Sequence, residues 1–414
     1  MAIQSDGPSP PRSLATPDTG RNGPTPPRVA GAWLALIAAP ATLGVTAPVI
    51  VLPKMADGYN IGLDTASWLV TVTALAIAVG TPLAGGLISR RGLRTALITS
   101  TLLLIAGTLI VAVMPWLEIA LIGRAAQALG STGLIAVAMN LAGTAGRMGL
   151  ITSTIAACAA IGPLIGSLVT DWTSWHIVLL LPVVAALFVP PVLRHAPTTP
   201  ADDSPFDTRG ALLLTALATA LVVIPYSPLP ATICAVATAL LLTIHIKNRP
   251  DGFVPLTLLR SPLFIGVSLL ALLLATSFFR LLFVIPAQLS DHAGWNEDAI
   301  GVGTLIAQIA GSIPAFLIAA IALRMGRTLT AIILTTTGIL ATVLTATSTS
   351  PTIILTALAI ALFAAAGGQG ALMAHATHTV TPTKRPVAIG LFNLSYQLGG
   401  ALGPAIVAMT ITTT

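Results

Sequence analysis

The sequence predicts an all-α polytopic membrane protein of about thirteen transmembrane helices, a length that suits two helical bundles. Three observations carry this prediction. Thirteen apolar stretches run along the chain, most near the roughly 20 residues that a helix rising about 1.5 Å per residue needs to cross a hydrocarbon core about 30 Å thick. Hydrophobic residues make up 55% of the 414 and charged residues 8%, with mean hydropathy +0.94, which excludes the mixed composition of a soluble domain. The basic residues fall almost entirely in every second gap, the mark of a chain that crosses and recrosses a bilayer.

The elements follow in order. Residues 1–30, rich in Pro, Ser and Gly, read as a disordered tail rather than a signal peptide, because the first apolar run is long enough to span. Spans are expected near 31–53, 66–88, 94–114, 119–141, 149–170 and 174–193, then the short pair 210–226 and 229–246. Five more lie near 262–289, 299–323, 328–347, 351–373 and 387–411. The gaps holding Arg90, Arg91, Arg94, Arg147, Arg194, Lys247, Arg324, Arg327, Lys384 and Arg385 alternate with gaps holding only Lys54. Positive charge stays on the cytoplasmic face, so the amino terminus is expected on the cytoplasmic side of a plasma membrane and Thr414 outside.

The charges at depth are cationic. Every Asp and Glu falls in the tail or near a span end, whereas Arg124 and Arg280 lie inside spans. An ion there is expensive and normally faces the bundle interior or a wet cavity. Arg124 therefore reads either as part of a transport path or as a tether between helices, and Arg280 either as a substrate contact or as a snorkelling side chain. Two arginines without a carboxylate at that depth favour a neutral or anionic small-molecule substrate over a cation. The net charge of +6 is spread over short loops, so a lipid bilayer and not nucleic acid is the expected partner. Cys158 and Cys234 form no metal or disulfide pattern. No Ser/His/Asp set, metal-ligand cluster or carboxylate pair is brought together by the spacing, so no catalytic residue, no metal and no enzyme are expected. His375 and His378 share a helix face, and Gly367, Gly368 and Gly370 read as close-packing positions, since no Lys-Ser/Thr follows them.

The run Gly85, Gly86, Leu87, Ile88, Ser89, Arg90, Arg91, Gly92, Leu93, Arg94 resembles the signature loop of the major facilitator superfamily, and Leu323, Arg324, Met325, Gly326, Arg327 is a weaker echo in the second half. Arg124, Gln127 and Gly130 look like the R-x-x-Q-x-x-G pattern of the drug:proton antiporters. Gly162, Pro163 and Gly166 resemble their G-P-x-x-G motif, and Asn393, Gln397, Gly399, Gly400 and Gly403 their penultimate span. The inserted pair points to the fourteen-helix branch, whose last helix has no counterpart before Thr414. Ser89 and Gly44 stand where that family carries Asp.

The resemblance implies a six-helix bundle over 31–193, an inserted hairpin with flanking loops over 194–261, and a five-helix bundle over 262–414. It further implies a monomeric exporter of a small organic compound, a drug or toxic or secondary metabolite, driven by a proton gradient through alternating access and needing no cofactor. Gly85, Leu87, Ser89, Arg90, Gly92 and Arg94 would serve cytoplasmic closure. Arg124, Gln127 and Arg280 would serve the path or its coupling, and Gly162, Pro163 and Gly166 the helix contacts that move. An uncoupled facilitator and a nutrient uptake permease are the alternatives.

Overall fold

Helix dominates because backbone groups in hydrocarbon must find partners within their own segment. The computed structural model describes residues 29–66, 68–113, 116–197, 207–224 and 227–411, and no strand occurs among them. Of the tail expected at 1–30, only Val29 and Ala30 fall within the described residues.

The first half comprises α1 (Gly31–Ala38), α2 (Leu43–Ile50), α3 (Leu52–Tyr59), α4 (Leu63–Ala66), α5 (Trp68–Val113), α6 (Leu117–Ala142), α7 (Ala145–Trp172), α8 (Trp175–Leu180) and α9 (Val189–His195). The inserted pair is α10 (Thr208–Val223) and α11 (Pro228–Asn248), followed by the single turn α12 (Leu256–Leu259). The second half holds α13 (Pro262–Ala293), α14 (Glu297–Met325), α15 (Arg327–Thr347), α16 (Pro351–His378) and α17 (Arg385–Ile411). Ten helical stretches are long and apolar enough to cross a membrane among the described residues, and Thr208–Leu221 is a shorter apolar helix. Twelve of the expected spans overlap these stretches, the second and third sharing Trp68–Val113, and the last, near 387–411, falls on α17, which is not among them.

Two spans depart from regular α-helix. The first tightens to a 3-10 stretch at Ala39–Thr42, entered through Pro40, and α3 carries it past its expected end. The sixth is 3-10 over Leu181–Phe188, where Pro182 sits near the start and Pro190 and Pro191 follow. Each proline lacks an N–H and cannot continue the α ladder behind it.

The expected spans near 66–88 and 94–114 are joined within α5 by Gly92, at φ 79° and ψ 167°, a backbone state essentially open only to glycine. The chain reverses there. Gly80 packs on Leu129 and Thr132 of α6, while Gly107, 27 residues later, packs on Gly123 and Gln127 of the same helix. A straight helix would separate those glycines by about 40 Å. Gly326, between α14 and α15, repeats the turn at φ 79° and ψ 160°.

Helices α1 to α9 pack together, α13 to α17 form the second bundle, and α10 lies against both α5 and α17 with α11 outside it. Arg90, Arg91, Arg147, Arg324, Arg327 and Arg385 mark one end of the molecule. Burial is concentrated toward that arginine-rich end: Ala364–Thr377 of α16 and Ala388–Leu394 of α17 are buried on every side, whereas Pro351–Thr356 of α16 and Gln397–Leu402 of α17 include partly exposed positions.

Candidate functional site

The seam between the bundles is built from small residues that let backbones meet. A side chain added at Gly85 would stand 2.7 Å from the Pro386 carbonyl oxygen, and the Gly85 and Gly390 backbones touch. On the other side of the molecule, Gly149 of α7 packs on Ala319 of α14, and Gly370 of α16 reaches Thr152 and Gly149. Among the described residues, every close glycine approach between the bundles lies in the arginine-rich half. This structure is therefore closed at that end. Gly367 meets Ala315 and Ile318 of α14, a packing position as its sequence context implied.

Of the signature-loop residues, Gly85 meets the other bundle directly. Gly86 lies under the Phe253 ring, Leu87 is half-buried, and Arg90 is half-buried while Arg94 is exposed. Ser89 Oγ donates to the Gly86 carbonyl at 3.0 Å, within its own helix.

Gly162 and Gly166, one turn apart on α7, face a different partner. Their missing side chains make room for Thr46 and for the Ala47 carbonyl of α2, so this contact lies inside the first bundle. Pro163, between them, is half-buried.

Arg124 has no solvent-exposed surface. Its guanidinium donates to the Gly44 carbonyl and to Gln127 Oε1 (3.0 Å), with a long 3.5 Å contact to the Leu69 carbonyl. Gln127 Nε2 donates in turn to Thr108 Oγ1 and to the Leu179 carbonyl, both at 3.0 Å. The sequence explains why these carbonyls are available. The helical donor to Gly44 O would be the N–H of Pro48, and the residue three beyond Leu179, where the chain tightens to 3-10, is Pro182. Neither proline has an N–H. Gly44 is also where any side chain would strike Pro182, 2.6 Å away. Arg124 and Gln127 thus tie α6 to α2, α5 and α8. No carboxylate pairs with Arg124 among the described residues, so its compensation comes from dipoles.

Arg280 differs. It is half-buried on α13, on the same face as the exposed Leu269 and Leu273, and among the described residues nothing hydrogen-bonds its guanidinium. The backbone beside it is gripped by Gly403 of α17. His375 is buried and His378 exposed, so the two histidines of one helix face are divided between protein and solvent.

One polar centre escapes the sequence reading. Asp207 caps α10 by accepting from Gly210 N at 3.0 Å, and its carboxylate also accepts from Phe253 N at 2.9 Å and lies 2.8 Å from His245 Nε2. Burial alone would raise this carboxyl's pKa, but the donors from Phe253, His245 and Gly210 outweigh it and hold the group below the ordinary carboxylate range. An Asp directly before a helix is a readable cap signal. Its partners, 38 and 46 residues away, are not.

The sequence profile of the Major Facilitator Superfamily matches residues 32–404. An uncharacterized MFS-type transporter of Bacillus subtilis (strain 168), YvkA, is 24% identical over 63% of this chain, which spans 62% of that relative's length. The lincomycin resistance protein of Streptomyces lincolnensis is 25% identical over 90% of this chain and 82% of its own length. The crystal structure of the human organic anion transporter MFSD10 superposes with TM-score 0.64 at 16% identity, covering 93% of this chain and 94% of that one.

Proposed function

We propose that this chain, which belongs to the Major Facilitator Superfamily, exports a small organic compound by proton antiport, its two bundles rocking about a substrate held between them. The observation that carries the reading is the seam: two bundles with the same glycine turn, whose close glycine approaches to each other among the described residues all lie at the arginine-rich end. Positive-inside sorting puts that arginine-rich end in the cytoplasm, the amino terminus with it, and makes this the outward-facing state. Resemblance to a lincomycin resistance protein over most of both chains supports efflux, and a bacterial plasma membrane as the location. The working unit is a monomer.

The substrate is neutral or anionic. Arg280 is the free cation at depth among the described residues, and Arg124 is spent on carbonyls, so nothing there would attract a permanent cation. Export of matched anionic and cationic dyes from cells lacking other pumps checks this. Preferential export of the cation would reject the charge assignment.

A second reading is favoured by one observation: no Asp or Glu falls in the middle of a span, and arginine holds its proton too tightly to replace one. An uncoupled facilitator would need none. Flux into proteoliposomes with and without an imposed pH gradient separates the two, antiport requiring the gradient for accumulation.

A further inference from the structure

The segment between α11 and α13 is longer than a turn, yet it is packed rather than free. Phe253, Val254 and Leu258 are all about 95% buried. The Phe253 ring covers Gly86 of α5, and its N–H is fixed by Asp207, the carboxylate that also holds His245 of α11. The same segment reaches the other bundle. Lys384, just before α17, donates to Asp251 Oδ1 at 2.8 Å and approaches Thr257 Oγ1 at 3.4 Å. Residues 251–257 therefore cross the seam beside the Gly85–Pro386 contact, joined to one bundle through an aromatic ring and to the other through a charge pair.

We propose that residues 249–258 are a strap across the closed seam, organised by Asp207 and released at the Asp251–Lys384 pair when the arginine-rich end opens. This rests on the alternating-access reading. If the bundles separate at that end, the strap cannot keep both attachments. The weaker one is identifiable by burial. The Asp251 side chain is 78% exposed and that of Lys384 34%, and exposed ion pairs shift an equilibrium by only about fivefold at most. Burying an aromatic ring is worth about tenfold or more, and the Asp207 bonds add to it. The strap thus stays with α5 and the inserted pair and lets go of α17. The inserted helices gain a role: they hold the Asp207 anchor that keeps the strap in register over Gly86.

Labelling tests this without any transport. Ser153, buried on α7 one turn from the Gly149 contact, becomes a reporter as Ser153→Cys in a chain whose Cys158 and Cys234 are serine. A membrane-impermeant maleimide is applied from the arginine-rich side of oriented vesicles. Asp251→Lys and Lys384→Asp should each speed labelling about two- to fivefold, and the double swap should return it to within about twofold of the parent. Asp251→Asn and Lys384→Gln, which keep size, should move it the same way by less and stand in for a reversal that fails to accumulate. Lys54→Asp, which breaks the exposed pair with Asp171 inside the first bundle, should change nothing. Parent-like labelling in the single variants, no recovery in the swap, or an equal rise with Lys54→Asp would overturn the strap. Absence of any substrate flux with the labelling pattern intact would instead count against transport and leave the strap standing.

Discussion

The two halves of this protein carry the same turn and close against each other through equivalent positions, yet they are finished differently. Seven residues before Gly92 stands Gly85, packed on Pro386 and Gly390; seven before Gly326 stands Ala319, packed on Gly149. A repeated helix pair has been given two seams of matching register. The first seam runs backbone to backbone and is crossed by the strap at Phe253 and Asp251. The second is sealed by an alanine methyl against a glycine, and α7 and α14 meet there directly. Inside the bundles the contrast is sharper. The first is clamped by a buried cation and a glutamine on proline-freed carbonyls, whereas the links within the second are neutral: Ser277 to Thr342 at 3.0 Å and Gln288 Nε2 to the Thr345 carbonyl at 3.4 Å between α13 and α15, and Gln369 Nε2 to Asn393 Oδ1 at 3.2 Å between α16 and α17. The two halves share a turn and a seam register, while local chemistry centres one on a buried charge and the other on neutral hydrogen bonds and packing.

Breaking the clamp should have the largest effect. Arg124→Met removes the donor to Gly44 O and leaves Gln127 Oε1 without its partner, two buried acceptors at about 1–3 kcal/mol each, so a loss of about 3 kcal/mol or more is expected. The counterpart in the second bundle, Ser277→Ala, should cost about 1 kcal/mol. Thermal unfolding of both variants in detergent checks the ratio, and equal losses would mean that the clamp is not what distinguishes the halves.

The seams come next. A methyl group at Gly149 would sit 2.5 Å from the Ala319 Cβ, whereas one at Gly390 meets nothing closer than 3.2 Å. Gly149→Ala should therefore destabilise by about 1–3 kcal/mol and Gly390→Ala by less than about 1 kcal/mol. Adding Ala319→Gly to Gly149→Ala makes the second seam resemble the first and should recover most of the loss. Non-additivity in that double-mutant cycle is the quantity to measure.

How much of this was legible in the sequence depends on the range of the interaction. The long apolar helices were, because backbone groups in such a stretch must find partners within their own segment, and so was the Gly92 turn with its echo at Gly326, because glycine marks a backbone state other residues avoid. The G-P-x-x-G spacing correctly put Gly162 and Gly166 on one helix face, though not which helix they would meet. The 3-10 stretches at Ala39–Thr42 and Leu181–Phe188 were hidden, since proline is compatible with either a first turn or a kink. Arg124 was visible as an expensive ion with two readings, and the partners that decide its position are backbone carbonyls released by Pro48 and Pro182, a relation no motif spells out. Asp207 looked like an ordinary loop acid because its donors arrive from Phe253 and His245, far along the chain.

The turns themselves allow a cleaner measurement of strain. Gly326 has open space where a side chain would project, so Gly326→Ala tests the φ of 79° alone. A cost at the low end of about 1–3 kcal/mol is expected. Gly92→Ala shares that φ but is buried, and should cost at least as much. A smaller loss at Gly92 would show that the first turn relaxes more readily than its repeat.

The smallest effect expected is a null result with a direction attached. Asp207 is held below the ordinary carboxylate value in the folded protein, so the stability it contributes is fully present above that ordinary value, about 3.9, and is lost as pH falls through the folded pKa. Between about pH 8 and pH 5 Asp207 stays ionised, so its own titration should contribute no change to the Ser153→Cys labelling rate, corrected for maleimide chemistry with a cysteine on the exposed loop at Thr383. Asp207→Asn, unable to accept from Phe253 N, Gly210 N and His245 with the same charge assistance, should label faster across that whole window and with no pH dependence of its own. The strap is on one seam only, so a cysteine reporter beside Gly390 should respond to Asp207→Asn more than the Ser153→Cys reporter on the far seam does, and the reverse order would place the anchor's influence on the wrong side of the molecule.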